Sequence, residues 1–313
     1  MKYLFNISIF LVLSLSSVKS QQTTQFTQYV FNYFAINPAL AGSQDCFNFK
    51  LGFRDQWLQL DGSPQTGFAS FQSRLKFKKS RANRTHHGVG GYIESDKIGY
   101  LSRTTLNLAY AYHFPVGRDV TASVGVFAGF QQFKVNASEI LVENYDDPLL
   151  SGSGSAFFIP YVTPGLFLNH ADWFIGYSVR QVVRNRWSKL IGDQGRNRWH
   201  HQLMGGKRFK LGDQFNVIPS AMIKWVRTTK PALDLNLLFE VNKAFEIGVS
   251  WRNEDALAAI AKVRFAKYFT VGYSYDITTS KLRHSSSNTH ELIIGISACR
   301  HDRNSTYICP VFQ

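Results

Sequence analysis

Two adjacent histidine pairs, His86-His87 and His200-His201, are the side chains in this sequence that most suggest a metal site. Neighbouring residues of an extended chain point to opposite faces of a sheet, so neither pair can chelate one ion from regular β structure. No Cys or carboxylate stands at ligand spacing beside them, and no metal is expected. His290 could serve acyl transfer of the kind a barrel phospholipase performs, given a Ser and an acid or amide nearby. Spacing supplies no such triad, and a structural role is the better reading. Gly88-Val89-Gly90-Gly91 looks like a phosphate loop only in its glycines, because it stands inside a strand pattern with no helix after it. The expectation is a chain with no catalytic residue and no cofactor.

The three cysteines match no metal spacing either. In an oxidising compartment one pair can bridge and leave an odd thiol. Cys299 with Cys309 would fold the C-terminal tail back, and Cys46 with Cys299 would tie the first strand to the last. Both pairings stay open, as does a free-thiol state.

The elements that position these residues begin with an export signal. Lys2 supplies the positive start, residues 7–15 are mostly apolar, and Val18 and Ser20 are the small residues before a cleavage after Ser20. That apolar stretch is too short to span a bilayer. No Cys follows the cleavage point, which speaks against a lipid anchor, and the mature chain is expected to begin near Gln21. The formal charge is +14, from 35 Lys and Arg against 21 Asp and Glu. An exported chain rarely meets nucleic acid, so these cations are expected to face lipid phosphates or an acidic partner.

Beyond the signal, no run of about eighteen apolar residues occurs, which excludes membrane-spanning helices. Aromatic residues nevertheless make up 15% of the chain and charged residues only 18%. That balance suits a membrane barrel with two aromatic girdles. From residue 46 to about 300 the sequence repeats segments of alternating polarity separated by turn clusters. They predict strands over 46–54, 65–75, 87–98, 100–114, 119–135, 156–169, 171–183, 199–211, 214–227, 232–243, 245–253, 256–266, 268–278 and 288–299. The fold class is therefore all-β, a transmembrane antiparallel barrel of about fourteen strands of the outer-membrane type. Long connections at 136–155, 184–198 and 279–287 are assigned to the cell exterior.

The two faces of each strand differ. Leu106, Leu108, Tyr110, Tyr112 and Phe114 share one side, and Arg103, Thr105, Asn107 and His113 the other. In the next strand Phe127 is the exception on its polar side. The polar sides carry Arg103, Arg180, Lys224, Asp234, Glu240, Glu246, Arg252, Lys262, Arg264, Asp276 and Glu291. Both signs are present, whereas a selective pore favours a ring of one sign. A filled or plugged lumen is expected. Glycines on the same faces are read as points where strands tilt and curve. Residues 25–43 precede the first strand and can plug the lumen or pack beneath the barrel, with Asn37-Pro38 holding an extended or turn geometry and Gly42 a sharp entry into strand one. Trp57 reads as a membrane-interface anchor.

The most specific residues lie in two stretches. The first runs Gln25-Phe26-Thr27-Gln28-Tyr29, Asn37-Pro38-Ala39-Leu40-Ala41-Gly42-Ser43, Phe53-Arg54-Asp55-Gln56-Trp57 and Asp61-Gly62-Ser63-Pro64-Gln65-Thr66. The second runs Tyr275-Asp276-Ile277, Ser280-Lys281-Leu282 and Thr289-His290-Glu291-Leu292. Their content and order resemble the PorP/SprF family of type IX secretion system outer-membrane proteins of the Bacteroidetes. Leu40 replaces a Tyr usual in the family, and Cys299 and the residues after it extend beyond the family's last strand.

The resemblance implies a barrel without known catalysis that assists type IX protein secretion or gliding motility. It also implies partners: translocon or periplasmic motor-complex subunits, an exported surface adhesin and outer-membrane lipids. The family-motif residues Gln25, Phe26, Tyr29, Asn37, Pro38, Gly42, Arg54 and Trp57 are the candidate partner contacts. The expected organisation is a signal peptide over 1–20, a periplasmic or lumen-plugging segment over 21–45, the barrel over 46–300 and a periplasmic tail over 301–313. The alternative function is an outer-membrane transporter or pore for small molecules, hydrophobic ones included.

Overall fold

Alternation at period two closes on itself here. In a computed structural model, described for residues 24–75, 85–135, 156–183, 198–227, 229–266, 268–280 and 288–299, fourteen antiparallel strands form one barrel. The first seven are β1 Cys46–Asp55, β2 Gln65–Leu75, β3 His86–Ile98, β4 Leu101–Pro115, β5 Thr121–Val135, β6 Phe157–Asn169 and β7 Trp173–Arg180. The rest are β8 His200–Lys207, β9 Phe215–Trp225, β10 Ala232–Val241, β11 Phe245–Arg252, β12 Ala256–Phe265, β13 Phe269–Thr278 and β14 Thr289–Cys299. Each pairs with its sequence neighbour, and β14 pairs with β1 to close the ring. The predicted signal peptide and C-terminal tail lie outside the described residues.

Two strands are locally interrupted by proline, which has no N–H to give to a ladder. β8 stops at Lys207 and resumes as the two-residue piece Phe209–Lys210, paired with Val217 and Asn216 of β9, and the break falls opposite Ile218 and Pro219. The backbone N–H of Arg208 donates instead to the carbonyl of Asp172 at 2.7 Å. β6 carries Pro160 and Pro164, and its ladder with β7 covers only the five pairs from Gly165↔Ser178 to Asn169↔Phe174. Beyond that ladder the Val182 N–H donates to the Val162 carbonyl at 3.1 Å, and Arg180 Nε donates to the Tyr161 hydroxyl at 2.8 Å.

The solvent order of a soluble protein is inverted. Leu108 is 66% exposed and Ile247 58%, while Asp234 and Glu291 are each 1% exposed. A water-soluble sandwich could not leave such a belt of apolar side chains outward, and a lipid-facing barrel requires it. Polar groups on the outer face are satisfied within the belt. His87, His201 and His290 sit 2.6, 2.7 and 2.6 Å from the hydroxyls of Tyr110, Tyr177 and Tyr273.

The rim carrying Cys46 and Cys299 also carries the short turns 116–120, 170–172, 211–214 and 242–244, the pattern of a periplasmic end. Cys46 and Cys299 face each other across the β1–β14 seam and are joined by a disulfide. Cys309 lies outside the described residues. The bond closes a loop of 253 residues, for which chain-entropy arguments give about 5 kcal/mol. Replacing both residues by Ser is therefore expected to lower the unfolding free energy of the barrel by up to that amount, read as a lower urea midpoint. A midpoint unchanged between oxidised wild type and the double variant would contradict the seam's dependence on the bond.

Candidate functional site: the plugged lumen

Residues 24–42 run through the barrel rather than beneath it. Three short 3₁₀ turns, Thr27–Phe31, Tyr33–Ala35 and Pro38–Leu40, are buried against the inner wall. Near the outer mouth, the backbone N–H groups of Thr27 and Gln28 donate to the two carboxylate oxygens of Glu291 at 2.8 and 3.0 Å. Gln28 Nε2 donates to the Glu291 carbonyl at 2.8 Å. The Thr27 hydroxyl donates to Asp276 at 2.5 Å and accepts from Arg54 at 3.0 Å and Arg252 at 2.9 Å. Arg54 itself pairs with Asp276 at 2.9 Å and Glu291 at 2.8 Å, and all three side chains are almost wholly buried. One threonine thus joins strands β1, β11, β13 and β14 through a cluster of paired charges.

Aromatic residues occupy the middle. Tyr29, Phe31, Tyr33 and Phe34 are each under 5% exposed. The Tyr29 hydroxyl accepts from Asn236 at 2.6 Å. Lys262 stands 4.2 Å over the Phe31 ring while pairing with Glu246 at 2.5 Å, and Lys50 donates to the Phe31 carbonyl. The wall answers with apolar side chains on its otherwise polar face. Phe127, the exception to alternation in β5, lies 5.2 Å from Phe34, and Phe174 lies 4.9 Å from Tyr33. Leu238, Ile260 and Ile293 break the polar faces of their strands in the same way and join the same cluster.

At the periplasmic end the fit is backbone to backbone. Asn37 caps the third turn by accepting from the Ala39 N–H at 3.0 Å, and its amide donates to the Leu166 carbonyl at 2.8 Å. His113 Nε2 lies 2.7 Å from the Ala41 carbonyl. A Cβ on Gly88 would stand 1.8 Å from that same oxygen, and one on Gly125 would stand 2.6 Å from the Ala39 backbone. These lumen glycines are clearance for the plug, a tighter requirement than the curvature expected of them.

Seven of the eight motif residues meet in this plug-to-wall contact. Gln25 accepts from Lys224 at 3.3 Å, Phe26 packs edge-on to Phe68 at 4.9 Å, and Tyr29, Asn37, Pro38, Gly42 and Arg54 contribute as described or by position. Trp57 is apart from them, half-buried beyond the end of β1, with its backbone N–H donating to the Thr289 hydroxyl at 3.1 Å. Sequence reasoning missed the inward aim of Arg54, Lys50, Glu94 and Arg208. Their even spacing with Cys46 and Asn48 in β1, or with Tyr92 in β3, was the available signal for Arg54 and Glu94. Of the lumen charges foreseen, Arg103 pairs with Asp96, Lys224 with Asp234, Arg252 with Asp255 and Lys262 with Glu246, while Glu240 is met by Arg208.

The rival chemistries do not assemble. His86 stacks on His113 at 4.2 Å inside while His87 faces outward, and His200 and His201 divide the same way. Among the described residues no group of three or more His, Cys, Asp or Glu could hold a metal ion. Gly88 to Gly91 lie within β3, and His290 contacts Tyr273 and Tyr275 on the outer face.

The chain matches the family described as type IX secretion system membrane protein PorP/SprF over residues 18–296. It belongs to that family. The match spans the plug and nearly all of the barrel, so the PorP/SprF assignment covers every plug-to-wall contact described above. A comparison with curated proteins finds no match. Solved structures similar to this PorP/SprF chain include the Ralstonia pickettii toluene transporter TbuX, with 13% identity, 86% of this chain and 93% of that one covered, and a TM-score of 0.53. The monoaromatic hydrocarbon channel CymD has 11% identity, coverage of 90% and 95%, and a TM-score of 0.52. The Pseudomonas putida toluene transporter TodX has 8% identity, coverage of 85% and 93%, and a TM-score of 0.50. Likeness at such identity shows a shared outer-membrane barrel fold.

Removing one partner from a buried charge cluster costs about 3–5 kcal/mol. Arg54→Ala, which strands Asp276 and Glu291, should lower the unfolding free energy by that amount, read from urea titration, with Arg54→Lys recovering part of it. Gly125→Leu should displace the plug without removing a charge, raising planar-bilayer conductance above that of the wild type. Conductance equal to wild type with a fully folded Gly125→Leu barrel would show that the plug does not depend on this clearance.

Proposed function

We propose that this chain is a non-enzymatic outer-membrane component that assists type IX protein secretion, docking or anchoring an exported surface protein beside the translocon and its motor complex. The observation that carries the reading is the family match across residues 18–296. The filled lumen supports it. A barrel whose interior is latched by its own N-terminal segment offers partners its rims, loops and outer wall rather than a wide channel. The motif residues of the plug then act by holding the barrel's shape, and gliding motility is one process such docking could serve through a surface adhesin.

The experiment is a crosslinking pull-down of the tagged full chain from native outer membranes, with partners identified by mass spectrometry. Recovery of translocon or motor-complex subunits, or of one large exported surface protein, is expected. Recovery of none of these under both mild and strong crosslinking would overturn the secretion role.

A further inference from the structure

Most strand cations of this barrel point into the lumen. Among the described residues three stand instead at outward positions of a strand: Lys97 in β3, Lys134 in β5 and Lys207 in β8. Lys207 lies at the periplasmic end, 5.0 Å over the Phe209 ring. Lys97 and Lys134 lie at the exterior end, on the two strands that flank β4, and the register sets both opposite the same residue, Ser102. The three form one row, and at the usual strand spacing the two lysine Cα atoms stand about 10 Å apart.

The rows beneath show what this one borders. Ile93, Leu106 and Phe130 share an exposed apolar row across the same three strands. Ser95, Thr104 and Gln132 follow one step toward the exterior, and the lysine row one step beyond them. Each step is about 7 Å along the strand. The outward face therefore passes from apolar to neutral polar to cationic, the order in which a leaflet passes from acyl chains to headgroups. Neither lysine has a carboxylate in ion-pairing distance among the described residues. The next carboxylate along the row, Asp55, stands beyond Gln65, two strands from Lys97 and four from Lys134.

We propose that this wall of β3, β4 and β5 is a binding site for a lipid of the outer leaflet, whose headgroup phosphate pairs with Lys97 and Lys134 and accepts from the Ser102 hydroxyl. Its acyl chains lie against Ile93, Leu106 and Phe130. Lysine rests its stem on apolar surface and carries its ammonium to the interface, and two ammonium groups flanking a hydroxyl suit a phosphate. A soluble anion has nothing to lay on the apolar row below, and that continuity favours a lipid. The site goes beyond the secretion role and stands or fails independently of it.

The probe is diphosphoryl lipid A, titrated against the full chain in detergent micelles, with lipid-bearing barrels counted by native mass spectrometry. Saturable retention of one lipid at this wall is expected. Lys97→Gln and Lys134→Gln should each weaken it about fivefold, and the double variant about thirtyfold, as expected for two cations at an anionic interface. Lys207→Gln removes the same charge from the opposite end and should leave retention unchanged. Retention unchanged in the double variant, or weakened equally by Lys207→Gln, would overturn the proposal. Displacement of the lipid by excess inorganic phosphate would overturn it too, because the phosphate alone would then be the ligand. Heat-modifiable gel migration checks that each variant barrel is folded. Should the double variant fail to fold, the two single variants and Lys207→Gln decide it.

Discussion

A sheet of fourteen strands encloses more space than its own inward side chains can fill, whereas about eight strands leave an interior that side chains just occupy. Everything inside this barrel answers that constraint. The interior must be either water or protein, and here residues 24–42 are the protein. Their aromatic middle buries four rings, each stabilising by about 1.5–3 kcal/mol relative to exposure. The wall meets them with Phe127, Phe174, Leu238, Ile260 and Ile293 at positions where a water-filled barrel would place polar groups.

Filling the lumen removes water from the wall's charges, and that loss sets the second requirement. Arg54, Asp276 and Glu291 are too deeply buried to be solvated, so each must find its opposite within the protein. The plug completes the arrangement by giving Glu291 two backbone N–H donors and lending Thr27 to two arginines. Plug and charges are therefore mutually dependent: without the plug the cluster is wet and weak, and without the cluster the plug has no anchor at its outer end. The Cys46–Cys299 disulfide acts at the opposite rim, on the seam where the two chain ends of the barrel meet.

Strand positions were legible in the sequence because lipid on one side and polar interior on the other enforce period two along every strand. The fourteen predicted segments differ from the observed ones by a few residues at their ends. What stayed hidden concerns convergence. Whether residues 25–43 entered the lumen or lay beneath it depends on Glu291, more than two hundred positions away. Gly88 and Gly125 look like any strand glycines until Ala41 and Ala39 are placed against them. Phe127 stood out as an exception to alternation, and its reason, a ring from Phe34, lay in another segment. The choice among cysteine pairings likewise needed the register that sets Cys46 opposite Cys299.

Membership of the PorP/SprF family implies a type IX secretion role for this latched barrel, and the latch explains why its most characteristic motifs fall inside the molecule. The most direct test of the account is hydrogen exchange, read by mass spectrometry, on peptides covering residues 27–41 of the full chain in nanodiscs. Held as described, those amides should exchange as slowly as the strands that clamp them. Exchange at the rate of an unstructured peptide would contradict the account, because it would mean that the segment does not reside in the lumen.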